Sequence, residues 1–309
     1  MSEKYETIVP SEPDAGERLQ WVSWLRSAAP YVHLHHGRTF VISFAGEVVA
    51  DRTLLNHLVM DVSLIASMGM RVVLVHGSRP QIEELMGLRK LEGQFYKGVR
   101  ITGPQELECV KEACGETRFD IEAAFSQGLP NTPMQHSRIK VVSGNFVTAR
   151  PMGIIDGVDY LHTGVVRKVD AESIQDLLSR GNIVLVSPTG FSPTGEAFNL
   201  TTEDVATAIA VAIRADKLIL SVGVDGVRVR GAKQQDLTAQ QAQALIQSKQ
   251  VDDEDVYNLG YALRAIKGGV DRVHIVPYAM DGGILTELFT HDGVGTMIST
   301  ENMESLREA

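Results

Sequence analysis

Three short glycine-bearing loops could bring backbone N–H groups close to an anion: Ala45-Gly46-Glu47, His76-Gly77-Ser78-Arg79-Pro80 and Gly223-Val224-Asp225-Gly226. Each is equally the ordinary way for a chain to turn after a strand. A fourth stretch, Phe198 to Asp204, opens a helix with Thr201, Thr202, Glu203 and Asp204, residue types suited to a cap and to the positive helix end. His33, His35 and His36 invite a metal reading. No cysteine or carboxylate cluster accompanies them, so exposed imidazoles near a helix C-terminus are expected, and no metal. Cys109 and Cys114, five residues apart on a predicted helix, point to different faces. They suit neither a staple nor a metal site and are expected to be reduced, buried thiols.

Converging loops need strands that end beside one another, and the apolar pattern supplies them. Continuous runs at 72–75, 183–186 and 218–220 read as strands buried on both faces. Further strands are expected at 39–44, 138–143, 272–276 and 296–299, with a hairpin-like region over 159–170. Helices are expected at 54–68, 106–127, 171–179, 202–214, 239–248, 255–267 and 282–289, with another opening after Pro80. This alternation predicts one three-layer α/β/α sandwich around a mainly parallel sheet, with ligand sites beyond the carboxyl ends of its strands.

Residues 1–16 read as a disordered lead-in, and 17–29 as an amphipathic helix that stops before Pro30. That helix carries Trp21 and Trp24 and packs either on its own domain or on another subunit. The chain has 309 residues, 44% of them hydrophobic, which is enough for one large core. Its net charge of −10 argues against a nucleic-acid partner. No export signal or membrane-length apolar run occurs, so a cytoplasmic protein is expected.

Taken in order, the motifs resemble the amino-acid kinase family, from about residue 21 to the C-terminus. Within it they resemble the N-acetylglutamate kinases and the kinase-like half of bacterial N-acetylglutamate synthases. The carriers are Pro30-Tyr31 before Arg38-Thr39-Phe40-Val41-Ile42, then Val75-His76-Gly77-Ser78-Arg79-Pro80-Gln81-Ile82 and Gly98-Val99-Arg100-Ile101-Thr102. Val142-Ser143-Gly144-Asn145-Phe146 and Phe198-Asn199-Leu200-Thr201 follow. The last are Leu285-Thr286-Glu287-Leu288-Phe289 and Gly293-Val294-Gly295-Thr296-Met297. The Ser-Arg-Pro-Gln-Ile and Ser-Gly-Asn-Phe forms resemble the synthase half.

Phosphoryl transfer needs cations and backbone amides around the phosphates. Where the family's kinases keep two lysines, this chain has Ser43 and Asn258, both neutral. Glu203 stands where the kinases keep an aspartate that organises those lysines. Glu47 would repel a polyphosphate, and Pro80 offers no N–H. Arg79 is the remaining candidate for a positive charge there. The expectation is that phosphoryl transfer is lost.

The resemblance implies an arginine site beside the N-terminal helix, at Tyr31, Lys217, His274, Glu287 and Gly293. A carboxylate such as Glu287 suits a guanidinium, a lysine suits the α-carboxylate, and glycine admits backbone close to a ligand. Each residue also has an ordinary reading as solvated charge or core histidine. Arg100 and Asn199 match positions that hold acetylglutamate in the kinases, and here are either a vestigial pocket or structural anchors. The family's synthases carry a following acetyltransferase domain that binds acetyl-CoA and glutamate. Residues 17–300 are read as the kinase-like domain and 301–309 as the start of a linker, so the chain is a piece cut at a domain boundary or a natural short relative. No cofactor is expected within it.

The resemblance implies an arginine-binding regulatory and oligomer-building role, with L-arginine as effector and a homo-oligomer formed through the N-terminal helix. An active acetylglutamate kinase and a purely architectural domain are the alternatives.

Overall fold

A computed structural model describes residues 15–127 and 139–300. The lead-in up to residue 14, the first residue of the expected 138–143 strand and the expected linker at 301–309 lie outside the described residues.

The chain begins with α1 (Ala15–His35), β1 (Thr39–Phe44), the short α2 (Gly46–Ala50), α3 (Arg52–Ser67), β2 (Arg71–His76) and α4 (Arg79–Leu88). The hairpin β3 (Gln94–Tyr96) and β4 (Val99–Ile101) leads into α5 (Pro104–Ser126). Then come β5 (Val141–Ser143), β6 (Val147–Pro151), β7 (Ile154–Ile155), β8 (Val158–Asp159), β9 (Gly164–Val169), α6 (Ala171–Ser179) and β10 (Ile183–Val186). Next are β11 (Thr189–Phe191), β12 (Ala197–Asn199), α7 (Thr202–Ala212) and β13 (Lys217–Val222). The last third holds β14 (Arg228–Val229), β15 (Ala232–Lys233), β16 (Asp236–Thr238), α8 (Ala239–Ser248), α9 (Asp253–Lys267), β17 (Arg272–Pro277), α10 (Gly283–Phe289) and β18 (Thr296–Ser299).

Among the described residues, eight strands form one sheet in the order β16-β18-β17-β13-β1-β2-β10-β5, parallel except where β17 meets β18. The period-two alternation of side chains divides its core into two layers. On one face Val41, Val73, Leu218, Leu220, Val273 and Ile275 pack with Val205 and Ile209 of α7 and Leu259 and Ile266 of α9. On the other, Phe40, Ile42, Leu74, Ile219 and Val276 pack with Val62 and Ile65 of α3 and Ile284 and Leu288 of α10. The expected three-layer α/β/α sandwich is present.

A second sheet, β12-β11-β6-β9, and the small hairpins stand beside it. The sequence pattern foreshadowed only part of this sheet, in the 159–170 region. Its strands are short and mostly lack the apolar runs that marked the main sheet.

The N-terminal helix departs from expectation. It does not stop before Pro30 but continues to His35. Proline removes one helical hydrogen bond and costs about 3 kcal/mol in a helix interior. Here the turn beyond it is held from outside: Tyr31 and Val32 pack on the apolar layer that contains Phe40, Leu288 and Phe289. Tertiary packing of one helix face outweighs the local penalty. Leu19, Trp21, Trp24 and Leu25 in the earlier turns remain exposed. Among the described residues, no helix is long and apolar enough to cross a membrane.

Candidate functional site

Strand register builds a buried relay of three charged or titratable groups. Lys217, the first residue of β13, lies opposite Arg272 of β17, and Ile219 lies opposite His274. Alternation puts Lys217, Arg272 and His274 on one face of the sheet, the face that α10 covers. Lys217 Nζ is 3.1 Å from His274 Nε2, and His274 Nδ1 is 2.7 Å from Glu287 Oε1. All three side chains are buried. Glu287 Oε2 also accepts from the N–H groups of Val294 at 2.7 Å and Gly295 at 2.9 Å.

These contacts fix the protonation pattern. Burial alone would raise the Glu287 pKa, but the bonds from His274 and the two amides outweigh it and hold the group at about 2. Burial, reinforced by Lys217, lowers His274 to about 4, so the imidazole is neutral. Because Glu287 is an acceptor, the network assigns the proton to Nδ1 and leaves Nε2 to accept from Lys217. Burial and then Arg272 bring Lys217 itself down to about 7.

Gly293 closes the loop against this carboxylate. Its φ of 62° lies in the left-handed region, and a Cβ there would sit 2.5 Å from Glu287 Oε2. From the far side, Lys233 Nζ donates to the Val294 carbonyl. Four of the five expected residues, Lys217, His274, Glu287 and Gly293, therefore meet. Tyr31 does not join the relay. It lies half-buried on the apolar layer to which Leu285 and Val294 also belong.

A cavity of about 340 Å³ opens next to Lys217, lined also by His35, Arg38, Asp216, Asp271 and Arg272. It lies at the amino ends of β1, β13 and β17, not beyond the carboxyl ends where ligand sites were expected. The end of α1 forms part of its wall, which corrects the reading of the histidine run. His33 and His36 are exposed as expected, but His35 is buried. Its Nε2 bonds the Leu288 carbonyl of α10 at 3.1 Å, and its ring stands edge-on to Phe40 and Phe289. Among the described residues no group of three His, Cys, Asp or Glu side chains could hold a metal ion. The four-residue spacing from Tyr31 to His35, one helical turn, was the signal available in the sequence.

His35 ties the helix to the site. His35→Ala is expected to cost about 1–3 kcal/mol, through one lost hydrogen bond and lost ring packing. The only two tryptophans, Trp21 and Trp24, sit on α1. Their fluorescence anisotropy should fall in the variant as the helix loosens; unchanged anisotropy and unchanged stability would refute this role.

At the carboxyl ends of the strands the loops close on each other. Gln81 Nε2 donates to the Gly46 carbonyl at 2.9 Å, and a Cβ on Gly46 would meet Gln81 Oε1 at 2.7 Å and the Pro80 ring at 2.8 Å. Ser43 and Asn258 are buried, and Glu203 accepts from the Tyr257 hydroxyl at 3.2 Å. Arg79 is engaged by Glu83 at 3.0 Å and lies over the Phe95 ring.

Arg100 is clasped likewise: its guanidinium bonds Glu83 at 3.2 Å, touches Met86 Sδ and covers Phe95 at 4.6 Å. Asn199 donates to Thr102 Oγ1 at 3.0 Å. Both bridge elements of the fold, as anchors do. Cys109 and Cys114 are buried, and burial raises the Cys114 thiol to about 12, which makes it unreactive.

Residues 38–277 match the amino acid kinase family. The chain belongs to that family. Within it, the chain is 55% identical over 298 residues to an amino-acid acetyltransferase of Ralstonia nicotianae, covering 96% of this chain and 66% of that protein. An amino-acid acetyltransferase of Ectopseudomonas mendocina is 48% identical over 290 residues, covering 94% of this chain and 67% of that one. The chain thus spans about two thirds of the length of these relatives.

Among solved structures of the amino acid kinase fold, N-acetylglutamate synthase from Neisseria gonorrhoeae complexed with coenzyme A and L-arginine superposes with a TM-score of 0.85. It is 35% identical, with 91% of this chain and 66% of that chain covered. Carbamate kinase from Giardia lamblia bound to AMP-PNP shares the fold alone, at 14% identity and a TM-score of 0.65, covering 86% of this chain and 99% of that one.

Proposed function

We propose that this member of the amino acid kinase family is the arginine-binding regulatory and assembly region of a cytoplasmic N-acetylglutamate synthase, and that it no longer transfers phosphoryl groups. The observation that carries this is the Lys217–His274–Glu287 relay, closed by Gly293, beside a polar cavity walled by α1. The acetyl transfer, with its acetyl-CoA and glutamate, would belong to the part of the relatives' length that this span does not match.

Arginine would enter along α1 and set its guanidinium against Glu287. Both carboxylate oxygens are already engaged, so the ligand must compete with His274 for one of them. Closed and opened relays are then two states, and arginine shifts their balance only by its difference in affinity for the two. His35 and α10 would pass the change to α1, whose exposed Trp21, Trp24, Leu19 and Leu25 suit packing against further copies of the chain.

The loss of phosphoryl transfer is supported at the carboxyl ends. The Gln81 side chain and the Pro80 ring occupy the space next to Gly46, Ser43 and Asn258 are uncharged, and Glu47 is a carboxylate. Arg79, the remaining candidate cation, is paired with Glu83, which weakens any hold on the charge of a transferring phosphoryl group.

Two measurements test the reading. Titration calorimetry with L-arginine should give saturable binding, and no heat at millimolar ligand would overturn it. Incubation with ATP and N-acetylglutamate should release no ADP above background. Steady release would instead establish the kinase reading.

A further inference from the structure

The cavity holds three cations, and they differ in what balances them. Arg38 is paired with Asp216 Oδ1 at 2.9 Å, and the other Asp216 oxygen accepts from Thr39 N at 2.7 Å. Lys217 has a neutral acceptor, His274 Nε2. Arg272 meets no carboxylate at ion-pair distance among the described residues, although Asp271 precedes it in the chain. Lys217 and Arg272 are register partners on adjacent parallel strands, so their side chains leave the same face of the sheet about 5 Å apart.

Two cations this close repel each other, more so where water is scarce. Burial first, and then the charge of Arg272, lower the Lys217 pKa to about 7. The other groups facing it are the imidazoles of His35 and His274 and the carboxylates of Asp216, Asp271 and Glu287. Of these, Asp216 is taken up by Arg38 and Thr39, and Glu287 by His274 and two amides. Asp271 is exposed to solvent. An incoming anion would relieve the repulsion between the pair.

We propose that Arg272 joins Lys217 at the carboxylate-binding end of this cavity and supplies a planar two-donor grip that selects ligands carrying an α-carboxylate. The assignment rests on the reading of the cavity as an amino-acid site and adds the group that recognises the amino-acid end of the ligand. A guanidinium offers paired N–H donors that match a carboxylate edge, which a lysine alone does not.

The test compares L-arginine with agmatine, the same molecule without its carboxylate, by titration calorimetry on the whole chain. Wild type should bind arginine about 10–100-fold more tightly than agmatine, the ratio expected for a charge-assisted grip. Arg272→Gln should weaken arginine by a similar factor and leave agmatine unchanged, and Arg272→Lys should restore part of the difference. Equal affinities of wild type for the two ligands, or a variant that weakens both alike or neither, would overturn the assignment while leaving the amino-acid site standing. Binding of neither ligand to wild type would overturn the site and the assignment together. Unchanged melting temperature and tryptophan anisotropy in Arg272→Gln serve as the folding control, and the wild-type comparison needs no variant at all.

Discussion

Glu287→Ala is expected to remove about 3–5 kcal/mol of folding stability and to abolish arginine binding. The side chain is buried and accepts three hydrogen bonds, from His274 Nδ1 and from the N–H groups of Val294 and Gly295. Alanine leaves all three donors without a partner and Lys217 without a counter-charge at the end of its relay. Breaking one side of a buried charged network typically costs that much. Glu287→Gln keeps the shape and part of the bonding, so it should fall between wild type and alanine in urea denaturation. A loss below about 1 kcal/mol in the alanine variant would mean that the relay is not a buried network at all.

The same network sets a pH dependence. Glu287 is held at about 2 against an ordinary value of 4.5, so between these values the folded chain binds fewer protons than the unfolded one. Its stabilisation is complete above pH 4.5 and is lost as the pH falls towards 2. His274, lowered from 6.5 to about 4, acts in the same direction. Wild type should therefore lose stability on acidification from pH 6.5 downwards, and Glu287→Ala should lose less over the lower half of that range.

The strands of the main sheet were legible because a strand buried on both faces must be written in apolar, often β-branched residues. The expected bounds of β1 and β18 agree with the structure to the residue. The second sheet was largely illegible because β6, β11 and β12 are only three to five residues long and leave little periodicity to read. The end of α1 was misjudged for a related reason. Pro30 is a local signal, whereas the packing of Tyr31 and Val32 that carries the helix past it is tertiary. His35 followed the same error, since its partner, the Leu288 carbonyl, lies 253 residues away.

At the site, family resemblance named Lys217, His274, Glu287 and Gly293, but only register could join them into a relay and fix the imidazole proton. Nor could spacing reveal that Gln81 reaches back to Gly46. The sequence showed neutral residues at Ser43 and Asn258, and the structure adds that Gln81 and Pro80 crowd the loop at Gly46.

Among the described glycines, Gly295→Ala should be the most damaging substitution. A Cβ at this position would lie 2.1 Å from the Ile275 carbonyl oxygen and 3.0 Å from its carbon, and neither atom can rotate away because both are backbone of β17. One methyl group must therefore push β18 off β17, at an expected cost of about 3 kcal/mol or more. Thermal unfolding should show a lowered melting temperature or no cooperative transition, and a melting curve like that of wild type would refute the packing argument.

Gly293→Ala, two residues earlier, makes a different contact. Its Cβ would press on Glu287 Oε2 at 2.5 Å, and its left-handed φ adds about 1–2 kcal/mol of strain. A carboxylate is softer than a strand, so this variant should fold. To make room, however, Glu287 must give up the amides of Val294 and Gly295, the bonds that aim it. The expected outcome is a modest drop in melting temperature with at least a tenfold loss of arginine affinity, about 1.4 kcal/mol of binding. Stability and binding thus separate within one three-residue loop: Gly295 keeps the sheet closed, and Gly293 keeps the carboxylate aimed. If Gly293→Ala bound arginine as tightly as wild type, Glu287 would not be the group that the guanidinium meets.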